Sequence, residues 1–270
     1  MIEAVRWQPF VRWFCGHASG RIREAFAAVH VHGLHRLQAA VREAPALVIA
    51  NHSSWWDPLV ALWLGEMRLE GAHTYGMMNI DNLRRYRFFR WLGCFGVDRT
   101  SRRDGARASR YAIDLLRRRG NLVWVFPQGE ELPPHVPLRF ELGAAGIAKR
   151  APAARVIPVA LAFVFEGEEH PHVYVSVGEP MAAAEVADRD AQARAVDHER
   201  ARIQRQLETG AEAFEVVLER KPSALGNWAT AWLDRFAGWL APRQARARAA
   251  LPAAEADATS PDYVRNTNQA

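Results

Sequence analysis

His52 and Asp57 are the side chains whose types and spacing most directly suggest chemistry. They bound the stretch Asn51-His52-Ser53-Ser54-Trp55-Trp56-Asp57. Imidazole titrates near neutrality without help, so His52 can take up and return a proton. A carboxylate on one ring nitrogen would fix the tautomer and leave the other nitrogen to accept a proton. On a straight helix, residues five apart are rotated about 140° beyond one full turn and do not face each other. The pair meets if the chain bends through Ser53 to Trp56 and Asp57 caps a helix opened by Pro58. No nucleophile of the protein's own stands with them, because Ser53 and Ser54 lie outside a G-x-S-x-G elbow. A catalytic His52 would therefore activate a hydroxyl that arrives with a substrate. By spacing alone, a His and an Asp so placed are more often structural than catalytic.

The elements that must position this stretch are legible on either side. Ala46 to Ala50 is a short apolar run that reads as a buried strand, and Pro58 to Leu64 starts the following helix. Leu122 to Phe126 is a second buried strand, followed by Pro127-Gln128-Gly129-Glu130-Glu131. Further strands are expected over residues 28–37, 74–78, 155–165 and 173–177, with a strand or loop at 96–99. Helices are expected over 82–92, 106–119 (stopped by Gly120), 141–150 and most of 183–220. Strands alternating with helices predict an α/β domain, a mixed and largely parallel sheet flanked by helices. In such sheets, sites gather where strands end, and both Asn51-His52 and Pro127-Gln128-Gly129 leave strands there.

Residues 1–24 read as an aromatic, basic amphipathic helix, suited to a membrane interface or to packing as a cap. Residues 25–222 form the main domain. Residues 223–240 place Trp228, Trp232, Phe236 and Trp239 at helical spacing, and 241–270 have the composition of a disordered tail.

The chain has 270 residues, a formal charge of +5 and ten tryptophans. Lys149 and Lys221 are its only lysines, so the positive charge is almost all Arg. Twelve arginines fall between residues 84 and 119. They suit an anionic surface such as lipid headgroups, the phosphates of CoA or an acidic carrier protein, or else a solvated helix face. No nucleic-acid recognition motif accompanies them. No apolar run reaches the length of a membrane span and no signal peptide is evident. Cys15 and Cys94 lack metal or redox spacing and read as free thiols in a reducing compartment.

Asn-His-Ser-Ser-Trp-Trp-Asp resembles the NHxxxxD signature of the glycerolipid acyltransferases, the family that includes 1-acylglycerol-3-phosphate acyltransferase. Three further blocks follow in that family's order: Gly93 to Arg99 (GCFGVDR), Phe126-Pro127-Gln128-Gly129, and the Pro-broken apolar strand Val156-Ile157-Pro158-Val159-Ala160. The resemblance spans roughly residues 29–177. It implies a glycerol-3-phosphate acyltransferase-like fold and transfer of a fatty acyl group from acyl-CoA or acyl-carrier protein to a lipid hydroxyl. His52 would be the general base and Asp57 its orienting partner. Asn51, Arg99, Gln128 and Gly129 would contact substrate, with backbone N–H groups around Gln128 and Gly129 as candidates for the oxyanion. No metal and no resident cofactor is implied. The implied place of work is the cytoplasmic face of a membrane, held peripherally or monotopically.

The third block departs from the family's usual Phe-Pro-Glu-Gly-Thr-Arg. Gln128 replaces Glu, and Glu130 and Glu131 stand where Thr and Arg are usual. The family's Arg there serves the acceptor's phosphate, which two carboxylates would repel. Acceptors thus divide into lysophosphatidic acid or another lysophospholipid, with Arg99 as phosphate contact, and an uncharged or glycosylated lipid such as a carotenoid glycoside. Glu130 and Glu131 could also simply face solvent. A non-catalytic lipid- or carrier-protein-binding module and a thioester hydrolase are the competing classes.

Overall fold

The computed structural model describes residues 1–220. The Trp-rich segment 223–240 and the tail 241–270 lie outside the described residues.

The chain folds as a mixed α/β unit. Strands β1 (Ala28–His32), β2 (Ala46–Ala50), β3 (His73–Asn79), β4 (Cys94–Val97), β5 (Asn121–Val125), β6 (Arg155–Val164), β7 (His172–Val177), β8 (Met181–Ala182) and β9 (Glu215–Glu219) form one sheet. Its order is β4-β3-β5-β2-β6-β7-β1-β9, with β8 paired to β6. The five strands from β4 to β6 run parallel. β7 is antiparallel to β6 and parallel to β1, and β9 closes that side antiparallel to β1. Among the described residues, seven helices flank the sheet: α1 (Gln8–Ala25), α2 (Leu34–Glu43), α3 (Asp57–Arg68), α4 (Ile80–Arg85), α5 (Arg102–Leu115), α6 (Leu142–Arg150) and α7 (Arg189–Thr209).

β2 shows why this sequence builds a two-sided core. Its five residues are all buried. Side chains alternate across a strand, so Ala46, Val48 and Ala50 pack with Leu37 and Val41 of α2 and Trp63 and Leu64 of α3. Leu47 and Ile49 point the other way, into Leu116 after α5, Ile147 of α6 and Val196 of α7. A strand covered on both faces must be apolar at every position, as a central parallel strand requires.

α3 begins with Asp57 and is held from outside by α1 and the segment before it. The Trp63 indole N–H donates to Ser19 Oγ at 2.8 Å, and Arg6 grips Glu66 through one guanidinium nitrogen at 2.8 and 2.7 Å. Glu66 also accepts from the Thr74 amide at 2.8 Å, tying α3 to β3. Cys15, inside this contact, and Cys94 are free thiols, and burial pushes each up to about 12.

Several elements differ from the sequence expectation. The strand expected over 28–37 stops at His32, because Gly33 takes a left-handed φ of 72° and starts α2. The helix expected over 82–92 breaks at Tyr86 into α4 and a 3-10 turn, Arg87–Leu92. Helix 106–119 begins earlier, at Arg102, where Ser101 caps it by accepting from the Asp104 amide. The helix expected over 183–220 is α7 alone. Glu215–Glu219 is a strand, since the edge of β1 offers unpaired backbone that Val216 and Leu218 can reach.

Gly65 marks the closest approach of α3 to the sheet. A Cβ there would stand 2.3 Å from Thr74 Oγ1 and 3.3 Å from Leu122 Cδ2. Gly65→Ala is expected to lower stability by about 1–3 kcal/mol through overpacking, read as a lower urea midpoint at unchanged slope.

Candidate active site

β2 and β5 are parallel neighbours in register from Ala46↔Leu122 to Ile49↔Val125. The loops that leave their carboxyl ends therefore emerge side by side. One carries Asn51 to Trp56 and the other Phe126 to Phe140.

The first loop bends as the spacing required, with the Asp57 amide donating to the Ser54 carbonyl at 3.0 Å. Asp57 is fully buried and is the first residue of α3; Trp56 occupies the cap position. The expectation that Asp57 caps α3 is thus corrected. Its carboxylate turns backward, onto the loop it closes. Oδ2 accepts from the Ser53 amide at 2.7 Å, the Ser54 amide at 2.8 Å and His52 Nδ1 at 2.9 Å. A carboxylate can only accept, so Nδ1 carries the imidazole proton and Nε2 keeps its lone pair. The Phe126 ring lies 4.7 Å from the imidazole, centroid to centroid.

The second loop braces His52 through its backbone. Gln128 is buried, and its Oε1 accepts from the His52 amide at 2.7 Å. That fixes which end of the carboxamide faces the His52 amide. Gln128 lines the small cavity beside His52, and its NH2 has no protein partner among the described residues. Farther along, the Leu132 amide donates to the His52 carbonyl at 3.0 Å. Arg200 of α7 reaches across to the Pro134 carbonyl and, at 3.4 Å, to that of Val136. The cavity left between these groups is about 10 Å³, room for about one water.

Other expected contacts fall out differently. Asn51 is buried and faces β6: its Nδ2 donates to the Leu161 carbonyl at 2.9 Å, and its Oδ1 accepts from the Leu161 amide at 2.8 Å. Both ends of the carboxamide are bonded to backbone, so Asn51 positions the loop. The Gly129 N–H, expected to be free for an oxyanion, donates to the Phe126 carbonyl at 3.0 Å. Gly129 has φ of 76°, and a Cβ there would stand 2.7 Å from Arg99 Cζ. That contact brings the second block to the third, with Arg99 donating to the Gly129 carbonyl at 2.6 Å. The turn carrying Arg99 is itself held by Asp104, which accepts from the Asp98 amide at 2.8 Å. The Met1 ammonium and this amide hold the Asp104 carboxyl below its usual range.

The sequence reading left the place of Glu131 open; its Oε1 stands 3.9 Å from His52 Nε2, with the side chain half exposed. One neighbour of the site escaped that reading. Arg200 lies 148 positions after His52, and no local signal in α7 marks it. Among the described residues, no group of His, Cys, Asp and Glu side chains is arranged to hold a metal ion.

The acyltransferase family matches residues 28–162, half of the chain, from the first residue of β1 to one residue beyond the Leu161 that Asn51 grips. Among solved structures, the chain is similar to the 1-acyl-sn-glycerophosphate (LPA) acyltransferase PlsC from Thermotoga maritima. The TM-score is 0.53 and the identity 17%, over 75% of this chain and 83% of that one. At such identity the likeness is one of fold. No curated protein matches. A fold shared with PlsC, and a family match that contains both loops of the site, lead to one assignment: the chain belongs to the acyltransferase family.

Proposed function

We propose that this protein transfers a fatty acyl group from a thioester donor, acyl-CoA or acyl-carrier protein, to a hydroxyl of a membrane lipid, with His52 as general base. The observation that carries this reading is the 2.9 Å contact of His52 Nδ1 with a buried carboxylate, which leaves Nε2 free to accept. The acceptor hydroxyl gives its proton to Nε2 as its oxygen bonds to the thioester carbonyl carbon. The carbonyl oxygen becomes an oxyanion, the C–S bond breaks, and Nε2 returns the proton to the departing thiolate. Asp57 stabilises the imidazolium formed in between. The NH2 group of Gln128 is the donor we assign to the oxyanion, in place of the occupied Gly129 amide. The donor thioester is a substrate, and the reaction calls for no resident cofactor or metal.

For the acceptor, the family resemblance implies lysophosphatidic acid or another lysophospholipid, with Arg99 at the phosphate. The position of Glu131 beside His52 favours the second reading, an uncharged or glycosylated lipid.

Work at a membrane surface is supported by the face that α1 shares with the 3-10 turn. Trp7, Trp13 and Trp91 are exposed there, Trp13 by 64%. Phe10 lies between them, 6.2, 5.5 and 5.3 Å from their rings. Exposed Arg12, Arg84, Arg85 and Arg87 flank the patch. Tryptophan and arginine together suit the headgroup layer. Among the described residues no helix is long and apolar enough to cross a membrane, so we assign peripheral association. Acyl-CoA and acyl-carrier protein place it on the cytoplasmic face.

His52→Ala is expected to cut acceptor-dependent thiol release by a factor of roughly 10² or more while the unfolding midpoint hardly moves; wild-type turnover would sink the mechanism. Asp57→Asn should fall less far, and turnover equal to wild type would reduce Asp57 to a structural brace. Replacing Trp7, Trp13 and Trp91 together by Ser is expected to weaken flotation with phosphatidylglycerol-containing vesicles. Unchanged flotation would refute docking through this face.

A further inference from the structure

We propose that Glu131 is the residue that selects the acceptor, and that it selects a neutral polyol head with adjacent hydroxyls over a phosphate-bearing one. The inference rests on the acyl-transfer reading above.

Glu131 Oε1 and His52 Nε2 are 3.9 Å apart, too far for a hydrogen bond. They are two acceptors that border one space. The backbone on both sides of Glu131 is pinned. Before it, the Gly129 carbonyl is held by Arg99 at 2.6 Å, and after it the Leu132 amide is held by the His52 carbonyl at 3.0 Å. Residue 131 is therefore fixed beside the imidazole, although its side chain is 51% exposed and open to an incoming molecule.

The proton count then selects the acceptor. A carboxylate only accepts, and Nε2 without its proton also only accepts. The attacking hydroxyl has one proton, and it must go to Nε2. A second hydroxyl on the neighbouring carbon supplies the donor that Glu131 lacks, and it orients the first. A phosphate monoester brings negative charge and further acceptors to the same place. Two of the cations near this loop make hydrogen bonds to its backbone. Arg99 is on the Gly129 carbonyl, and Arg200 is on the Pro134 carbonyl and on Asp197 at 3.3 Å. Discrimination here comes as much from repelling the charged head as from binding the neutral one.

The test uses the full chain, palmitoyl-CoA as donor and four acceptors of matched chain length. These are 1-monoacylglycerol, an alkyl glucoside, lysophosphatidic acid and a fatty alcohol with a single hydroxyl. Labelled product and thiol release are both followed. For the wild type, kcat/KM for at least one of the two polyols should exceed that for lysophosphatidic acid by about tenfold or more, and the better polyol identifies the head as glycerol or sugar. Glu131→Gln should raise KM for the polyols about tenfold more than KM for the fatty alcohol, with the change falling on KM rather than kcat. Glu131→Arg should shift the preference toward lysophosphatidic acid. A wild-type preference for lysophosphatidic acid, or acceptor ratios that are unmoved in both variants, overturns the assignment of Glu131 and leaves acyl transfer standing. Thiol release with no acylated product from any acceptor overturns acyl transfer itself, and this proposal with it.

Discussion

The site depends on one buried oxygen. Asp57 Oδ2 collects two backbone amides and one imidazole N–H at the first turn of α3. A carboxylate without solvent is costly unless it is hydrogen-bonded; three donors on Oδ2 and the positive end of a helix dipole offset part of that cost, while the buried Oδ1 has no partner among the described residues. The same contacts give the loop its shape. Without the carboxylate, the Ser53 and Ser54 amides would lose their acceptor and His52 its orientation. α3 must then be held in place, and it is: its buried Trp63 indole donates to Ser19 of α1, and Arg6, just ahead of α1, takes both oxygens of Glu66.

β6 is where the sheet changes direction, parallel to β2 on one side and antiparallel to β7 on the other. β2 ends at Ala50 while β6 runs on to Val164. Asn51 fills the gap, since its carboxamide donates and accepts as a peptide group would and continues the ladder by one rung. A side chain acting as backbone lets the main chain leave the sheet and turn toward Asp57. This gives the first residue of the motif a physical task separate from any contact with substrate.

The parts of the fold written in short-range pattern were legible. Ala46 to Ala50 can hardly be anything but a covered strand, and Pro58 announces a helix. The five-residue separation of His52 and Asp57 correctly demanded a bend. What the pattern missed depends on partners distant in sequence. Glu215–Glu219 becomes a strand because β1 has a free edge. Arg200 matters because α7 passes the 132–138 loop. The Gly129 amide is unavailable because the chain turns tightly at Phe126. The cap on α3 was misassigned for another reason: a carboxylate at a helix start can serve the amides ahead of it or behind it, and the sequence is the same either way.

The cavity beside His52 has a further consequence. With about 10 Å³ free, the cleft beside His52 has room for about one water and none for an acyl chain. A base that can deprotonate a lipid alcohol can also deprotonate water, and a thioester left beside it would be spent without product. On the proposed reaction, the segment from Pro133 to Leu138 that lines this space has to yield before donor and acceptor can meet. On that same reading, the narrowness that braces the imidazole also leaves little standing room beside it for a thioester without its acceptor.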